Sequence, residues 1–448
     1  YKHISMGSSQ TQGYWDGTQL QNCASCTSDP TTHLIDAHWQ SSYALTIPSD
    51  WLTGVYLIKL TAPGGASYIP LVVREAPHTS SPSEILVSLP VLTYQAMNSW
   101  GGYSMYGRDT GTGVNPYDEM AGTRATQVSF NRPYANDAGT GQLLSYEIHT
   151  VLFLERAGFD VSYTTNLDVD ANPQSLKQHV VFLDLGHDEY WTQGIYNALD
   201  RARDAGISLG FLGGGDGYWQ ARLAADSTGA ARRTVVCYKV TSGAIPELGL
   251  TDTTNTLAED PAYAHASTRA TTTARWRDTA LNRPENTLLG LQFDGFILKV
   301  PSSRKGSPYT YLPEWHVRSG DVDPLELSVN FMNGDMVPGG ALGYAYDAPG
   351  TNGLAPVNLT LLGQSTIVDN QDQLRIADTV YYRTTSGSVI FDAGSVWWTW
   401  TLDELTFPGA DQPNLKLGEQ RLANLTDVMI RVMLGAGHVP PPAAAPVQ

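Results

Sequence analysis

The chain has 448 residues, which is enough for two or three domains and a large hydrophobic core. Its formal net charge is −17, and an acidic chain without a basic cluster is not expected to bind nucleic acid or an anionic membrane. No segment approaches the roughly 18 consecutive apolar residues of a membrane span. Only 16% of the residues are charged, while Gly, Ser, Thr, Tyr and Trp are frequent. This composition favours a secreted protein that is extracellular or held at the cell surface.

Residues 1–76 carry the pattern of an all-β domain. Three segments alternate or run apolar as strands do, and turn residues separate them: Tyr43–Ile47, Gly54–Leu60 and Tyr68–Val73. We predict an immunoglobulin-like β-sandwich in this region. Residues 77–83, which are rich in Thr, Ser and Pro, are predicted to be a linker.

The three cysteines do not form a recognisable metal or redox motif. Cys23 and Cys26 are two residues apart, but the second pair that a zinc ribbon needs is missing. A thioredoxin-type site expects a βαβ context, whereas this pair lies in a polar segment. A local disulfide between them is the favoured interpretation, and Cys237 is predicted to be a buried thiol.

Residues 84–437 alternate between strand and helix patterns, which predicts an α/β domain with a mostly parallel sheet. Glu84–Leu89 and Phe159–Tyr163 have strand composition, and Leu143–Ala157 has the apolar spacing of a helix that stops at Gly158. Gln420–Leu434 is predicted to be the last helix. Residues 438–448, rich in Pro and Ala, are typical of a linker or tail.

The centre of this domain is residues 180–222. Val180–Leu185 and Ile207–Leu212 are apolar runs of strand length, and the segment between them has one apolar helical face and stops at Gly206. This pattern predicts a βαβ unit whose strands are parallel neighbours. The sheet would then deliver His187–Glu189 and the glycine-rich turn 213–217 to one edge, where ligands bind in open α/β sheets.

His187 and Glu189 are the candidate catalytic residues at this edge. An anionic carboxylate such as that of Glu189 suits a hard metal ion, but a carboxylate here could instead cap the following helix. Histidine can take up and release a proton near neutral pH, although a histidine after a strand is often structural. Both interpretations of each residue are kept open.

Several segments, in this order along the chain, resemble the large (beta) subunit of N,N-dimethylformamidase and its bacterial relatives: Pro48–Trp51, Thr53–Tyr56, Leu71–Arg74, Thr93–Ala96, Ser129–Pro133, Gly186–Trp191, Tyr218–Gln220 and Val236–Lys239. The resemblance covers about residues 40–435. It implies a β-sandwich followed by an α/β domain like that of class I glutamine amidotransferases.

The resemblance also implies a mononuclear iron held by two tyrosines and one glutamate, the glutamate lying in a His-x-Glu motif. That motif matches His187 and Glu189. Tyr56 and Tyr94 are our candidates for the tyrosines. The chain departs from many relatives at Met97, where they carry tyrosine, and this difference puts metal binding in question.

An amidotransferase-type fold would place its nucleophile in the turn at residues 213–217. The turn has neither Cys nor Ser, and Asp216 is a poor acyl nucleophile, so a cysteine triad is not expected. Backbone N–H groups of Gly213–Gly215 could stabilise an oxyanion, or the glycines could simply allow a tight turn.

Two classes of function follow. The first is a metal-assisted amidohydrolase in which a metal ion, with His187, promotes cleavage of a small amide. The second is a secreted or cell-surface structural or binding protein that keeps the fold without activity. Such a protein would bind glycans or neighbouring chains, including copies of itself, through aromatic side chains: Trp100, Tyr103, Tyr218, Trp219, Trp397, Trp398 and Trp400. Most buried aromatics, however, belong to a protein's core.

Overall fold

The computed structural model describes residues 26–38, 43–63, 65–76, 81–108, 124–250, 255–297, 315–316, 336–337, 340–405 and 420–436. The first 25 residues of the predicted sandwich, Cys23, most of the predicted linker and the predicted tail lie outside these ranges.

The described strands are, in chain order, β1 (Thr27–Ser28), β2 (Ile35–Asp36), β3 (Gly54–Ala62), β4 (Gly65–Val73), β5 (Ile85–Leu89), β6 (Tyr103–Ser104), β7 (Gly107–Arg108), β8 (Gln127–Ser129), β9 (Val161–Thr165), β10 (Val181–Gly186), β11 (Tyr190–Thr192), β12 (Ser208–Gly213), β13 (Trp219–Ala224), β14 (Thr234–Val236), β15 (Gln292–Phe296), β16 (Trp315–His316), β17 (Met336–Val337), β18 (Ala345–Ala348), β19 (Thr360–Val368), β20 (Leu374–Arg383) and β21 (Val389–Asp392).

The described α-helices are α1 (Val91–Met97), α2 (Glu147–Ala157), α3 (Asn166–Ala171), α4 (Gln193–Asp204), α5 (Asn286–Leu289) and α6 (Gln420–Ala436). Short 3-10 helices cover Asp137–Gly139, Ser175–Gln178, Pro246–Leu248, Leu257–Glu259, Pro261–Ala264, Arg269–Thr271 and Val396–Thr401.

A seven-stranded, mostly parallel sheet forms the centre of the chain, as the α/β pattern predicts. Its strand order is β19-β20-β21-β12-β10-β5-β9. β20 pairs antiparallel with both of its neighbours, β19 and β21, and the five strands from β21 to β9 pair in parallel. The predicted pairing of the two central strands is confirmed, because β10 and β12 are parallel neighbours that pair from Val181 with Ser208 to Gly186 with Gly213. When the five parallel strands β5, β9, β10, β12 and β21 are numbered 1 to 5 along the chain, their order across the sheet is 2-1-3-4-5. This is the strand order of one class of doubly wound sheets.

Successive side chains of the sheet enter two different cores. In β10, Phe182 packs on the α4 side, whereas Val181 and Leu183 pack on the side of α2 and α6. This alternation follows from the two-residue period of a strand. Because helices cover both faces, the sheet is buried and its strands are apolar throughout.

The described part of residues 1–76 differs from the predicted sandwich. It contains two separate two-stranded sheets, β1-β2 and the hairpin β3-β4, and Tyr43–Ile47 has no strand. The hairpin places Val55, Leu57 and Val72 against the α/β core. A lone hairpin is barely stable in water, so it buries its apolar face on the larger domain instead of on a second sheet of its own. The domain boundary at residues 77–83 stays a prediction.

Two turns join the large sheet to a four-stranded sheet of order β11-β13-β14-β8. β10 continues through residues 187–189 into β11, and β12 continues through residues 214–218 into β13; β11 and β13 again pair in parallel. The short strand β11 separates residues 187–189 from α4, which begins at Gln193. Thr192 is the N-cap of α4 and accepts a hydrogen bond from the Ile195 N–H, so the interpretation of Glu189 as the helix cap is wrong.

Of the cysteines, Cys26 is disulfide-bonded, in agreement with the favoured local disulfide. Cys237 is a free, buried thiol, as predicted. Burial raises its pKa to about 12, which makes it an inert core residue.

Arg132 fixes the segment after α1. Its guanidinium is buried and donates hydrogen bonds to four backbone carbonyls, those of Gln95, Asn98, Trp100 and Tyr103. The Gln95 carbonyl belongs to α1 and also accepts from the Asn98 N–H, whereas the other three carbonyls lie in the segment that follows. Arg132 thus ties this segment to the end of α1 and holds the chain that leads to Tyr106.

We predict that Arg132→Met lowers the free energy of unfolding by at least about 3 kcal/mol, because it leaves several buried carbonyls without a donor. Arg74→Met is the matched control. The side chain of Arg74 is 61% exposed and pairs with Asp168, and such surface pairs contribute about 1 kcal/mol or less. Urea unfolding of both variants measures the difference. Equal losses would mean that Arg132 does not hold this segment.

Candidate functional site

A small pocket with room for about one water molecule lies where the two turns meet. The two turns and a separate two-stranded sheet, β15-β18, contribute to its wall. The lining residues are Tyr106, His187, Glu189, Gly215, Tyr218, Phe293, Phe296, Tyr344 and Ala345. Three polar side chains therefore face a wall that is otherwise aromatic or small, which is typical of a small-molecule site.

Glu189 is the charged centre of the pocket. Its side chain is nearly buried, Tyr106 donates a hydrogen bond to its Oε2, and His187 Nε2 lies 3.3 Å from the same oxygen. Burial alone would raise the pKa of this carboxyl, but the hydrogen bond from His187, the charge of Lys239 and the hydrogen bond from Tyr106 hold it below its ordinary value. Glu189 is therefore a carboxylate at neutral pH.

Tyr106, Tyr190 and Lys239 complete the cluster around this carboxylate. The Tyr190 hydroxyl donates to the Tyr106 hydroxyl at 2.9 Å, and Lys239 Nζ lies 3.7 Å from the centre of the Tyr106 ring. Lys239 is fully buried and has a left-handed backbone with φ of 50°, which is uncommon for a residue other than glycine. Lys239 therefore makes a cation–π contact with the ring whose hydroxyl donates to the Glu189 carboxylate.

Among these residues, sequence reasoning named only His187 and Glu189. Lys239 lies in one of the segments that carry the resemblance, but nothing in the sequence shows that its side chain is buried. Tyr106 and Tyr190 are separated by more than 80 residues, and no spacing pattern connects them.

His187 has one ring nitrogen that is not used by the protein. His187 Nε2 faces Glu189, while Nδ1 is buried and has no hydrogen-bond partner among the described residues. The ring is held edge-on by Tyr344, with ring centres 5.6 Å apart. A buried polar atom without a partner is costly, and its position in the pocket wall makes it available to a bound molecule.

The sequence-predicted metal ligands Tyr56 and Tyr94 do not line the pocket. The Tyr56 hydroxyl donates to the backbone carbonyl of Leu52, on the β3-β4 hairpin. The Tyr94 hydroxyl donates to Glu147 Oε2 at 2.6 Å. Burial, followed by the charge of Glu147, raises the pKa of Tyr94 well above its ordinary value, which favours a neutral phenol there. Their assignment as metal ligands stays a prediction that this geometry does not favour.

The glycine turn does not present the predicted oxyanion donors. The N–H of Gly214 donates to the Gly186 carbonyl, that of Gly215 to Asp347, and that of Gly217 to the Asp188 carbonyl. The turn therefore serves to join two strands closely. A Cβ at Gly213 would lie only 1.8 Å from the Gly186 carbonyl oxygen, so the two backbones can approach only with glycine.

Four of the tryptophans that were considered for binding glycans or neighbouring chains are core residues. Trp219, Trp397, Trp398 and Trp400 are almost completely buried. Tyr218 is the member of this set that lines the pocket.

Five aspartates are buried along this edge of the sheet: Asp184, Asp188, Asp216, Asp347 and Asp392. Among the described residues, none of them forms a salt bridge with Lys, Arg or His. Burial and then the charge of Asp188 raise the pKa of Asp216 to about 8, and burial and then the charge of Asp216 raise that of Asp347 to about 8. These two carboxyls are therefore largely protonated at neutral pH.

Whether these residues can bind a metal ion depends on their oxygen atoms. Across the described part of the chain, no three His, Cys, Asp or Glu side chains converge closely enough to hold a metal ion. Tyrosine supplies the missing oxygens: the Glu189 carboxylate, the Tyr106 hydroxyl and the Tyr190 hydroxyl are joined in one chain of hydrogen bonds. Anionic carboxylate and phenolate are ligands that hard metal ions prefer, so these residues fit the iron that the resemblance implies.

Comparison with known proteins agrees with the resemblance. The family model described as "N,N-dimethylformamidase beta subunit-like, C-terminal" matches residues 4–413, and the chain therefore belongs to this family. A search of curated proteins gave no match. Within the described residues, each helix is too short or too polar to cross a lipid bilayer.

The buried aspartates predict how stability depends on pH. The folded chain keeps protons on Asp216 and Asp347 that the unfolded chain releases above about pH 4, so the free energy of unfolding should fall as the pH rises from about 4 to about 8. Asp347→Asn removes one of these carboxyls and keeps an oxygen that can accept from Gly215. We expect the variant to be more stable than the parent by at least about 1 kcal/mol at pH 8.5, and not at pH 5.

Thermal unfolding at the two pH values measures this difference. Asp427→Asn is the control, because Asp427 lies on the surface of α6 and pairs with Arg431. A variant Asp347→Asn that gains no stability at the higher pH relative to the lower one would show that this carboxyl is already ionised in the folded chain.

Proposed function

We propose that the protein hydrolyses a small amide with the help of one bound iron ion. The observation that carries this proposal is the meeting of Glu189, Tyr106 and His187 in a buried pocket with an aromatic wall. Family membership supports it. Among the described residues, no Cys or Ser nucleophile lines the pocket, so an unactivated amide would need a Lewis acid.

Glu189 and Tyr106, which line the pocket, would hold the metal ion, and Tyr190, whose hydroxyl donates to that of Tyr106, would support them. When bound, a ferric ion polarises an amide carbonyl and makes a water molecule more nucleophilic. Lys239 lies over the Tyr106 ring, and its charge helps to keep Glu189 ionised. It thus supports an anionic oxygen in a buried site.

His187 is placed to move a proton. Its Nδ1 is buried and has no partner among the described residues, while the Glu189 carboxylate holds the other side of the ring. An imidazole fixed in this way can accept a proton from an attacking water and donate it to the leaving amine. The rings of Tyr218, Phe293 and Phe296 limit the access of bulk water to that reaction.

We also propose an amidotransferase-like arrangement of the α/β domain and a secreted or cell-surface location. The mostly parallel sheet with helices on both faces supports an arrangement like that of class I glutamine amidotransferases. The composition supports secretion or a cell-surface location.

A structural or binding protein without activity is the alternative, and Met97 is the observation that favours it. Its position differs from many relatives, and its sulfur accepts a hydrogen bond from Gln142 Nε2 at 3.0 Å. Such a protein would keep the pocket and have no metal or amide turnover.

Metal content separates the two sets of tyrosines. We expect about one iron per chain in protein purified without chelator, with the visible absorption of an iron–phenolate bond. Tyr106→Phe should lower the iron content at least about tenfold and remove most of that absorption, because it deletes an anionic ligand. Glu189→Ala should lower the iron content as much.

Tyr94→Phe and Tyr56→Phe are the matched controls, since each removes a tyrosine hydroxyl outside the pocket. Elemental analysis and visible spectra of the four variants decide the ligand set. Loss of iron in Tyr94→Phe or Tyr56→Phe but not in Tyr106→Phe would restore the sequence-predicted ligands. Parent protein without stoichiometric metal and without amide turnover would favour the alternative function.

His187→Gln tests the proton-transfer role. We expect kcat for amide hydrolysis to fall by about 10²- to 10⁴-fold while iron content stays within about twofold, because general acid–base catalysis contributes that much. His179→Gln is the control, since this buried histidine bonds through Nδ1 to the Ser83 carbonyl, away from the pocket. Full activity in His187→Gln would remove the histidine from the mechanism.

A further inference from the structure

A continuous series of aromatic rings forms one side of the pocket. Tyr344 lies 5.6 Å from His187, Phe296 lies 5.5 Å from Tyr344, Phe293 lies 5.1 Å from Phe296, and Tyr218 lies 4.9 Å from Phe293, all between ring centres. We call the four rings of Tyr344, Phe296, Phe293 and Tyr218 the aromatic arc. Ring pairs at such distances stabilise one another, so the arc packs as one cluster.

A network of buried charges holds the far end of the arc. The Tyr218 hydroxyl donates to Glu247 Oε1 at 2.8 Å, and Arg275 Nη1 donates to the same oxygen at 2.8 Å. Burial would raise the pKa of Glu247, but the charges of Arg277 and Arg275 hold it below its ordinary value. The acceptor of the Tyr218 hydroxyl is therefore an ionised carboxylate, which makes a stronger hydrogen bond than a neutral group.

Arg277 connects this network to the next ring. Its Nη1 donates to the Phe293 backbone carbonyl at 2.9 Å, its Nε pairs with Glu285 at 3.1 Å, and its guanidinium lies 5.3 Å from the centre of the Tyr218 ring. Arg277 is not among the residues that line the pocket. One cation thus supports two neighbouring rings of the arc from behind.

Gly215 forms the opposite side of the pocket. A Cβ at this position would have Phe293 at 3.7 Å, Ala345 at 3.9 Å and His187 at 4.0 Å, which are ordinary contact distances. A methyl group would therefore fit without a clash, and it would occupy space between the arc and the catalytic residues. The empty space at Gly215 is available to a ligand.

We infer that Glu247 and Arg277 are positioning residues that hold Tyr218 and Phe293 against the pocket, and that the fixed arc together with Gly215 sets an upper limit on the size of the substituents of a bound amide. This inference rests on the proposed amide-binding function. It adds a layer of specificity that lies outside the pocket itself.

The test measures binding, so that it does not require turnover. Dissociation constants of N,N-dimethylformamide and N,N-dipropylformamide are determined by ligand-observed NMR on the protein as purified, with its metal. The parent should prefer the smaller amide by at least about 10-fold, since a few methylene groups without space cost that much. Tyr218→Phe, which removes only the bond to Glu247, should reduce this preference by roughly 5-fold. Glu247→Gln should reduce it further.

Two controls separate positioning from general destabilisation. Tyr196→Phe also removes a hydrogen bond from a buried tyrosine, but outside the pocket, and should leave the preference unchanged. Gly215→Ala should weaken binding of both amides by about 10-fold. Gly229→Ala carries a similar backbone strain, with φ of 87° at Gly229 and 70° at Gly215, but its Cβ meets nothing within 4 Å, and it should bind as the parent does.

The outcomes are distinct. A preference in Tyr218→Phe within about twofold of the parent, or a parent that binds neither amide, overturns the inference. Should Glu247→Gln fail to fold, Tyr218→Phe still decides. Hydrolysis of the same amides is followed in parallel. Size-selective binding that changes in Tyr218→Phe, without any hydrolysis, supports the inference and counts against the proposed function alone.

Discussion

The pocket depends on keeping Glu189 ionised where little water reaches it. An isolated carboxylate in such a place would take up a proton, because desolvation disfavours the charged form. Here the His187 imidazole, the Lys239 ammonium and the Tyr106 hydroxyl converge on it. Lys239 follows β14 and Tyr106 follows β6, so both come from outside the large sheet. The four-stranded sheet thus brings the Lys239 ammonium close to Glu189, which follows β10 of the large sheet.

Close backbone contact between β10 and β12 makes this convergence possible. The two strands pair up to Gly186 and Gly213, and a side chain at either position would collide with its surroundings: a Cβ at Gly213 meets the Gly186 carbonyl, and one at Gly186 meets the Glu147 carboxyl at 2.2 Å. The turns that follow can therefore lie side by side. Hydrogen bonds between them, such as that from the Asp188 N–H to Asp216 at 3.1 Å, hold the His187 and Gly215 sides of the pocket at a fixed separation. Asp216, whose pKa is raised to about 8, acts here as a largely protonated hydrogen-bonding group.

The features that could be predicted from sequence are those with a short-range cause. Apolar runs of strand length and the helix between them indicated parallel pairing of β10 and β12, and parallel pairing placed His187 and Glu189 at an edge with the glycine turn. Strand patterns do not say which surface a hairpin covers, and in the described residues Val55 and Leu57 pack on the α/β core; the sandwich itself stays a prediction. Tyr106, Tyr190 and Lys239 could not be found, since their meeting depends on the register of a second sheet whose strands are only three to six residues long.

The position of Met97 bears on the metal question in a way that sequence comparison alone could not reveal. Read from the sequence, a methionine where relatives carry tyrosine removes an oxygen ligand. In the structure Met97 is partly buried against the α4-side core and accepts a hydrogen bond from Gln142, and it is not among the residues that line the pocket. The Tyr106 hydroxyl is bonded to Glu189, and the Tyr190 hydroxyl donates to that of Tyr106. The change at position 97 therefore lies away from the carboxylate and the two phenols that are joined by hydrogen bonds, and its effect falls on the packing of α1.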